Sequence, residues 1–304
     1  MKRSAIGGFW GFVWAGLSSL VLLAGCAFEE FFEAAEPVDV ELATPSLGVC
    51  TSVKNGQKLR FAGFVYVEES VRRFLAPQKP EATFLENLET LKQSALPVYS
   101  CNGFLPGSLR STGPDADHQG VLEYAEIAFS RAARAGIEII VFGSSGSRKI
   151  PEGFDPAVAR EQFVALLRQM GPIAAEHGVT VAIEPLRRKE CNFINRVFEA
   201  TEIAREVNHT NIKVLADFYH MMQEDEGPES ILLAGTDLVH CHIAENENRT
   251  PPGVAQDDFT PYLKALKEIG YQGRISVECG WKDFDNQIAP ACRYLAQQLS
   301  ASGY

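Results

Sequence analysis

Four short stretches decide how this chain folds: Thr180-Val-Ala-Ile-Glu184, Lys213-Val-Leu-Ala-Asp217, Leu238-Val-His-Cys-His-Ile243 and Arg274-Ile-Ser-Val-Glu278. Each is an apolar run that ends on or beside a polar group, the pattern of strands buried on both faces. Working back toward the N-terminus, residues 47–51, 64–67, 97–101 and 138–142 repeat it, so eight strands are predicted. Helical periodicity fills the gaps. Leu122, Ala125, Phe129 and Ala132 share one face, with Gly136 as a stop. Phe163, Leu166, Leu167, Met170 and Ala174 share another, which Pro172 is expected to kink. Phe259, Leu263, Leu266 and Ile269 form a third, ending at Gly270. Crossovers of about a dozen residues or more demand parallel pairing, and eight such units over about 260 residues predict a single α/β domain, a closed (β/α)8 barrel. A doubly wound open sheet accepts the same alternation, but no Gly-x-Gly-x-x-Gly follows the first strand.

The 304 residues are 46% hydrophobic and 22% charged, which excludes extended disorder and fibrous repeats. A net charge of −11 repels phosphate backbones, so no nucleic-acid partner is expected. The first thirty residues stand apart. Lys2 and Arg3 are followed by no charge until Glu29, and the stretch contains Leu17-Ser-Ser-Leu-Val-Leu-Leu-Ala-Gly-Cys26. A basic start, an apolar core and small residues at the end describe an export signal. Leu23-Ala-Gly-Cys26 resembles a bacterial lipobox, in which Cys26 is lipidated and becomes the new N-terminus. The alternative is a single transmembrane anchor, since about 20 uncharged residues can span a bilayer. The expected organisation is a signal peptide over 1–25, an acidic tether over 26–44 and the barrel over 45–304. Such a protein is exported and held at the bacterial cell envelope by its lipid alone. The six other cysteines, Cys50, Cys101, Cys191, Cys241, Cys279 and Cys292, include no Cys-x-x-Cys pair. That spacing argues against a zinc ribbon and reads as buried small hydrophobes rather than a disulfide framework.

In a closed parallel barrel the active site lies at the C-terminal ends of the strands. The last four strands end there on Glu184, Asp217, the pair His240 and His242, and Glu278. Side chains alternate along a strand, so Ile183 and Val277 face the helices while Glu184 and Glu278 face inward. Converging carboxylates cannot all stay charged and unpaired, because burying one alone costs several kcal/mol or more. A divalent metal resolves the conflict, and three carboxylates with one imidazole suit Mn²⁺, Mg²⁺ or Co²⁺. The bland alternative is that each acid caps a following helix.

Glu184-Pro-Leu-Arg-Arg-Lys-Glu190, Asp217-Phe-Tyr-His220, His240-Cys-His242 with Asn248-Arg-Thr-Pro-Pro-Gly253, and Glu278 resemble the sugar isomerase/epimerase superfamily of xylose isomerase-like TIM barrels, nearest to its D-tagatose 3-epimerase group. The likeness covers roughly residues 45 to 300. It implies metal ligands at Glu184, Asp217, His242 and Glu278, substrate contacts at Glu190, His220 and Arg249, and a homodimer. Arg249 departs from the family pattern, lying seven residues after His242 where six is usual, and a longer loop would explain this. His240 and His242 point the same way, and only the resemblance separates them.

The chemistry implied is a divalent-metal-dependent sugar isomerase or epimerase, with Mn²⁺ the expected ion and Mg²⁺ or Co²⁺ the alternatives. A metal holding a ketose carbonyl acidifies the adjacent C–H, and Glu184 and Glu278 exchange the proton as base and acid through an enediolate. Alternatives are a keto-inositol dehydratase on the same barrel, an endonuclease IV-like phosphodiesterase, and a non-catalytic sugar-binding lipoprotein. The acidic charge and the shortage of further strand-end histidines argue against the phosphodiesterase. Gly143-Ser-Ser-Gly-Ser-Arg148-Lys149 reads either as a phosphate-binding nest or as a loop with exposed bases. Glu68 and Asn102-Gly-Phe104 are expected to line the mouth. Phe104 offers a ring to the sugar or plugs the barrel, and Trp281 covers the site or packs under the last helix. His118, His177 and His209 read as exposed or capping groups.

Overall fold

The computed structural model describes residues 45–304; the predicted leader, Cys26 and the whole acidic tether lie outside the described residues. Eight parallel strands close on themselves in sequence order: β1 (Ser46–Cys50), β2 (Tyr66–Ser70), β3 (Val98–Asn102), β4 (Ile139–Phe142), β5 (Thr180–Ile183), β6 (Ile212–Asp217), β7 (Leu238–Ile243) and β8 (Arg274–Val277). Pairing of β1 with β8 seals the barrel. The outer ring is α1 (Gly56–Ala62), α2 (Glu81–Lys92), α3 (His118–Ala135), the short α4 (Ser145–Arg148), α5 (Pro156–Glu176), α6 (Val197–Val207), α7 (Phe218–Gln223), α8 (Glu229–Ala234), α9 (Thr260–Glu268) and α10 (Phe284–Ala301). Among the described residues no helix is long and apolar enough to cross a membrane.

All eight predicted strands form, and β2 shows the largest shift. It begins two residues later than expected and runs on through Glu68, Glu69 and Ser70, residues whose polarity reads as a strand exit. Both glutamates are buried and satisfied there, Glu69 by the Val53 amide at 2.7 Å and by Arg73 at 2.8 Å. Helix α5 runs unbroken through Pro172, so the ring costs a ladder hydrogen bond without ending the helix. Gly136 and Gly270 both adopt the left-handed conformation that closes a helix, as their positions predict.

Alternation along the strands sorts two interiors. Ile140, Phe142, Val181, Ile183, Val214 and Ala216 join the main core against the helices. Ile139, Val141, Ala182 and Leu215 form a separate apolar cluster inside the barrel. The other side of the barrel is polar. There Gly48 pairs with Tyr66, and a Cβ on Gly48 would stand 2.3 Å from the tyrosine ring. The missing side chain lets the ring lie across the barrel, with its hydroxyl 2.8 Å from Ser276 Oγ. Gly48→Ala should therefore destabilise the fold by about 1–3 kcal/mol, as overpacking of a filled core does. Equilibrium denaturation checks this, and an unchanged midpoint would mean the ring has room to move.

Candidate active site

Glu184 follows β5, Asp217 ends β6, His242 lies near the end of β7 and Glu278 follows β8. The barrel brings one ligand-type atom of each within 4.8 Å of all the others. His242 Nδ1 is 3.1 Å from Glu184 Oε1 and 3.3 Å from Glu278 Oε2. Asp217 serves two purposes. Its Oδ1 accepts from the amides of Tyr219 at 2.8 Å and His220 at 3.3 Å, capping α7, while its Oδ2 turns to the cluster. The capping and cluster readings of that residue thus hold together.

Electrostatics shows what the cluster lacks. Burial pushes the Glu184 carboxyl up, and the charges of Glu278 and Asp217 add to this against the hydrogen bond from His242. Burial opposes ionisation of Glu278 too, but the His242 and Arg249 cations draw it down to about 2. Arg249 donates to Asp217 Oδ2 at 3.1 Å and to Glu278, and it is the one guanidinium in contact with the four groups among the described residues. Three carboxylate donors and an imidazole, with a surplus of negative charge, fit a divalent ion of the harder kind.

His242 is oriented from below. Its Nε2 is 2.8 Å from Glu68 Oε1, while Glu68 Oε2 faces His240 Nε2 at 2.7 Å, Ser100 Oγ at 2.8 Å and Ser276 Oγ at 2.6 Å. Burial works to raise the Glu68 carboxyl, but the charges of His242 and His240 hold it well below the usual range. An ionised carboxylate only accepts, so both imidazoles carry hydrogen on Nε2 and His242 presents Nδ1 to the acids. Although burial opposes it, Glu68, Cys50 and Glu278 raise His242 well above its ordinary value, so a cation arriving at Nδ1 displaces a proton. His240 lies deeper in β7 with its Nε2 committed to Glu68, so it is His242 that reaches the acids.

The three expected substrate residues line one pocket of about 310 Å³ with Glu184, Glu278 and residues 143–146. Glu190 pairs with Arg187 at 2.7 Å. His220 accepts from the Arg187 amide at Nδ1, while its buried Nε2 has no hydrogen-bond partner. Arg249 stands 4.8 Å over the Tyr219 ring. In its loop Asn248 and Arg249 both adopt left-handed conformations, with φ of 58° and 51°. The buried Glu245 organises that loop, accepting from Thr250 Oγ1 at 2.9 Å, from the amides of Gly253 at 2.7 Å and Gln256 at 2.8 Å, and from that of Ala255.

Several expectations change. Arg148 is no exposed base: its wholly buried guanidinium donates to the carbonyls of Phe142 at 2.8 Å and Glu184 at 2.6 Å, a strut behind the carboxylate. Gly143 is required because a Cβ there would lie 2.0 Å from Glu184 Oε2. Glu68 does line the mouth, as the buried floor of its β1–β3 side. Asn102 does reach the site, donating to Glu278 Oε1 at 2.8 Å. Phe104 is buried among Tyr124, Phe129 and Phe142, and Trp281 packs on Phe284. His118 begins α3, His177 meets Glu126 at 2.9 Å, and His209 accepts from the Asn211 amide, all consistent with the bland reading. The six described cysteines are free thiols.

The xylose isomerase-like TIM barrel family model matches residues 57–298, and the chain belongs to that family. It is similar to an L-ribulose 3-epimerase of Methylomonas sp. (strain DH-1), 35% identical over 120 residues, 39% of this chain and 42% of that protein. It is also similar to a 3-dehydro-D-guloside 4-epimerase of Escherichia coli (strain K12), 28% identical over 194 residues, 62% of this chain and 74% of that protein. The chain thus spans about two fifths of the length of the first of these relatives. Among solved structures, the D-psicose 3-epimerase of Clostridium cellulolyticum H10, crystallised with D-tagatose, shares the fold with a TM-score of 0.72 at 20% identity, covering 84% of this chain and 99% of that one.

Glu68→Gln puts an amide donor against groups that already donate. It should weaken Mn²⁺ binding about 10–100-fold, read by titration calorimetry. Unchanged affinity would limit Glu68 to a structural role.

Proposed function

We propose that the protein is a divalent-metal-dependent sugar isomerase or epimerase that moves a proton beside a carbonyl. The convergence of Glu184, Asp217, His242 and Glu278 within 4.8 Å carries this reading. Binding alone needs no pair of carboxylates facing one pocket. The relatives named epimerases lend it support. A bound divalent ion, with Mn²⁺ the first choice and Mg²⁺ or Co²⁺ as alternatives, would polarise the carbonyl and stabilise the charge left on its neighbour.

The chain's own groups supply the rest. Glu184 and Glu278 come from strands three places apart around the barrel and reach the sugar from different sides. One removes the proton from the carbon beside the carbonyl and the other returns a proton. Return to the opposite face of that carbon inverts it, whereas return to the neighbouring carbon isomerises the sugar. Asn102 and Arg249 hold Glu278 in place. His220 Nε2, Glu190 and Arg249 offer hydrogen bonds to substrate oxygens. Acid–base assistance of this kind is worth about 10²–10⁴ in rate. The basic start, the apolar run and Leu23-Ala-Gly-Cys26 support a reading in which this activity sits at the cell envelope, with Cys26 as the lipidated residue.

Glu278→Gln should reduce solvent deuterium exchange beside the carbonyl of a ketose about 10²–10⁴-fold by proton NMR, and Glu184→Gln likewise. Full exchange in either variant would remove that residue from the acid–base pair. Stripping the metal with EDTA should lower the melting temperature, the loss being about 2.7 kcal/mol if the ion had been present at a hundredfold its Kd. An indifferent melting curve would refute the metal site. Bound metal without exchange on any ketose would favour the keto-inositol dehydratase or a binding lipoprotein.

A further inference from the structure

The mouth has a second lobe of about 660 Å³ on the β1–β3 side, walled by Cys50, Thr51, Ser52, Ser70, Arg72 and Asn102 among others. Arg72, Asn102, Gly103 and Glu278 belong to both lobes, so the two form one cleft with Glu278 at the junction. Glu184, Glu190, His220 and Arg249 line the smaller lobe alone. Its volume of about 310 Å³ is at the lower end of small-molecule sites, about 300–1,000 Å³, and suits one sugar ring. Nothing in the proposed proton transfer uses the larger lobe.

Arg72 stands exposed on the wall of that lobe. Arg73 beside it is paired with Glu69 at 2.8 Å, whereas the Arg72 guanidinium has no hydrogen bond or ion pair among the described residues. It stands against Gly103, where a Cβ would lie 3.7 Å from Nη2 and 3.3 Å from Ser70 Oγ; Gly103 also needs its positive φ of 61°. Arg72 rides on a π-helical turn (Val71–Leu75) whose Val71, Phe74 and Leu75 are buried. Buried Arg131 secures that turn, donating to the carbonyls of Leu75 at 2.9 Å, Ala76 at 2.5 Å and Lys79 at 3.1 Å. The turn is held by packing and hydrogen bonds, so a ligand has to order only the Arg72 side chain itself.

We infer that the substrate is a keto sugar bearing a second, O-linked sugar unit, with the reacting ring in the smaller lobe and the second unit in the larger, where Arg72 donates to its oxygens. The hydroxyls of Thr51, Ser52 and Ser70 and the Asn102 amide suit a neutral polyol. Glu278 at the junction disfavours an anion. For the reacting ring, this inference rests on the proton-transfer reading above.

The test uses the Mn²⁺-loaded full chain with D-fructose, maltulose and isomaltulose, the last two carrying the same ketose plus a glucosyl unit. Deuterium exchange beside the carbonyl is read by proton NMR, and binding of maltose, which has no ketone, by calorimetry. The glucosyl ketoses should exceed D-fructose in kcat/KM about tenfold or more. Arg72→Ala should reduce that ratio about tenfold through KM and weaken maltose binding to a similar extent. A ratio at or below one, or one unmoved by Arg72→Ala, overturns the inference. If no ketose exchanges but maltose binding depends on Arg72, the second lobe stands and the proton-transfer reading falls. If D-fructose exchanges and maltose does not bind, the reaction stands and the second lobe falls.

Discussion

A single buried carboxylate ties the mouth of this barrel together. Glu68 meets two imidazoles and two hydroxyls contributed by β3, β7 and β8, so it joins four strands on the polar side of the interior. Each of those donors would otherwise be buried without a partner, a cost of about 1–3 kcal/mol apiece. The network also reaches upward. Tyr66 lies over Gly48 and meets Ser276, Ser276 donates to Glu68, and Glu68 sets the tautomer of His242. The geometry of the candidate site therefore starts one layer below the groups that would do chemistry.

Around that layer the surplus of negative charge is arranged rather than avoided. Arg148 supports the Glu184 backbone from behind, Asn102 and Arg249 hold Glu278, and Asp217 is fixed by the helix it caps. The carboxylates of Asp217 and Glu278 are oriented by partners outside the cluster, whereas that of Glu184 meets His242 within it. Such a site has stored repulsion that a cation relieves, the electrostatic counterpart of preorganisation. Loops finish the arrangement. The chain after β7 wraps around the Glu245 carboxylate, in a loop that carries Arg249 to Asp217 and Glu278.

Much of this was legible before any coordinates. Near-continuous apolar runs separated by helical periodicities admit few solutions, and eight of them specify a closed parallel barrel. Strand alternation then identifies which strand-end groups face inward, so Glu184, Asp217 and Glu278 could be named together from their positions, with His240 and His242 left level and only the family resemblance favouring His242. The end of β2 was set too early, at Val67, because the polar run Glu68-Glu69-Ser70 normally signals an exit from a strand. Inside a barrel they are ordinary members of β2, since their partners come from strands remote in sequence. Arg148 was misread for the same reason: a base in a Gly/Ser loop looks exposed until Glu184 and Phe142 are seen beside it.

Sequence by itself determined the class of fold and most of the converging groups, because periodicity and strand position are local properties of the chain. Tertiary structure brings His242, which the resemblance favoured, rather than His240 to the acids; it also put Glu68 at the centre of the network and divided the mouth into two lobes. Those outcomes depend on which residues face each other across the barrel, over separations such as the 174 positions between Glu68 and His242. Local pattern contains no record of such distances; they appear only once the β1–β8 seam has closed.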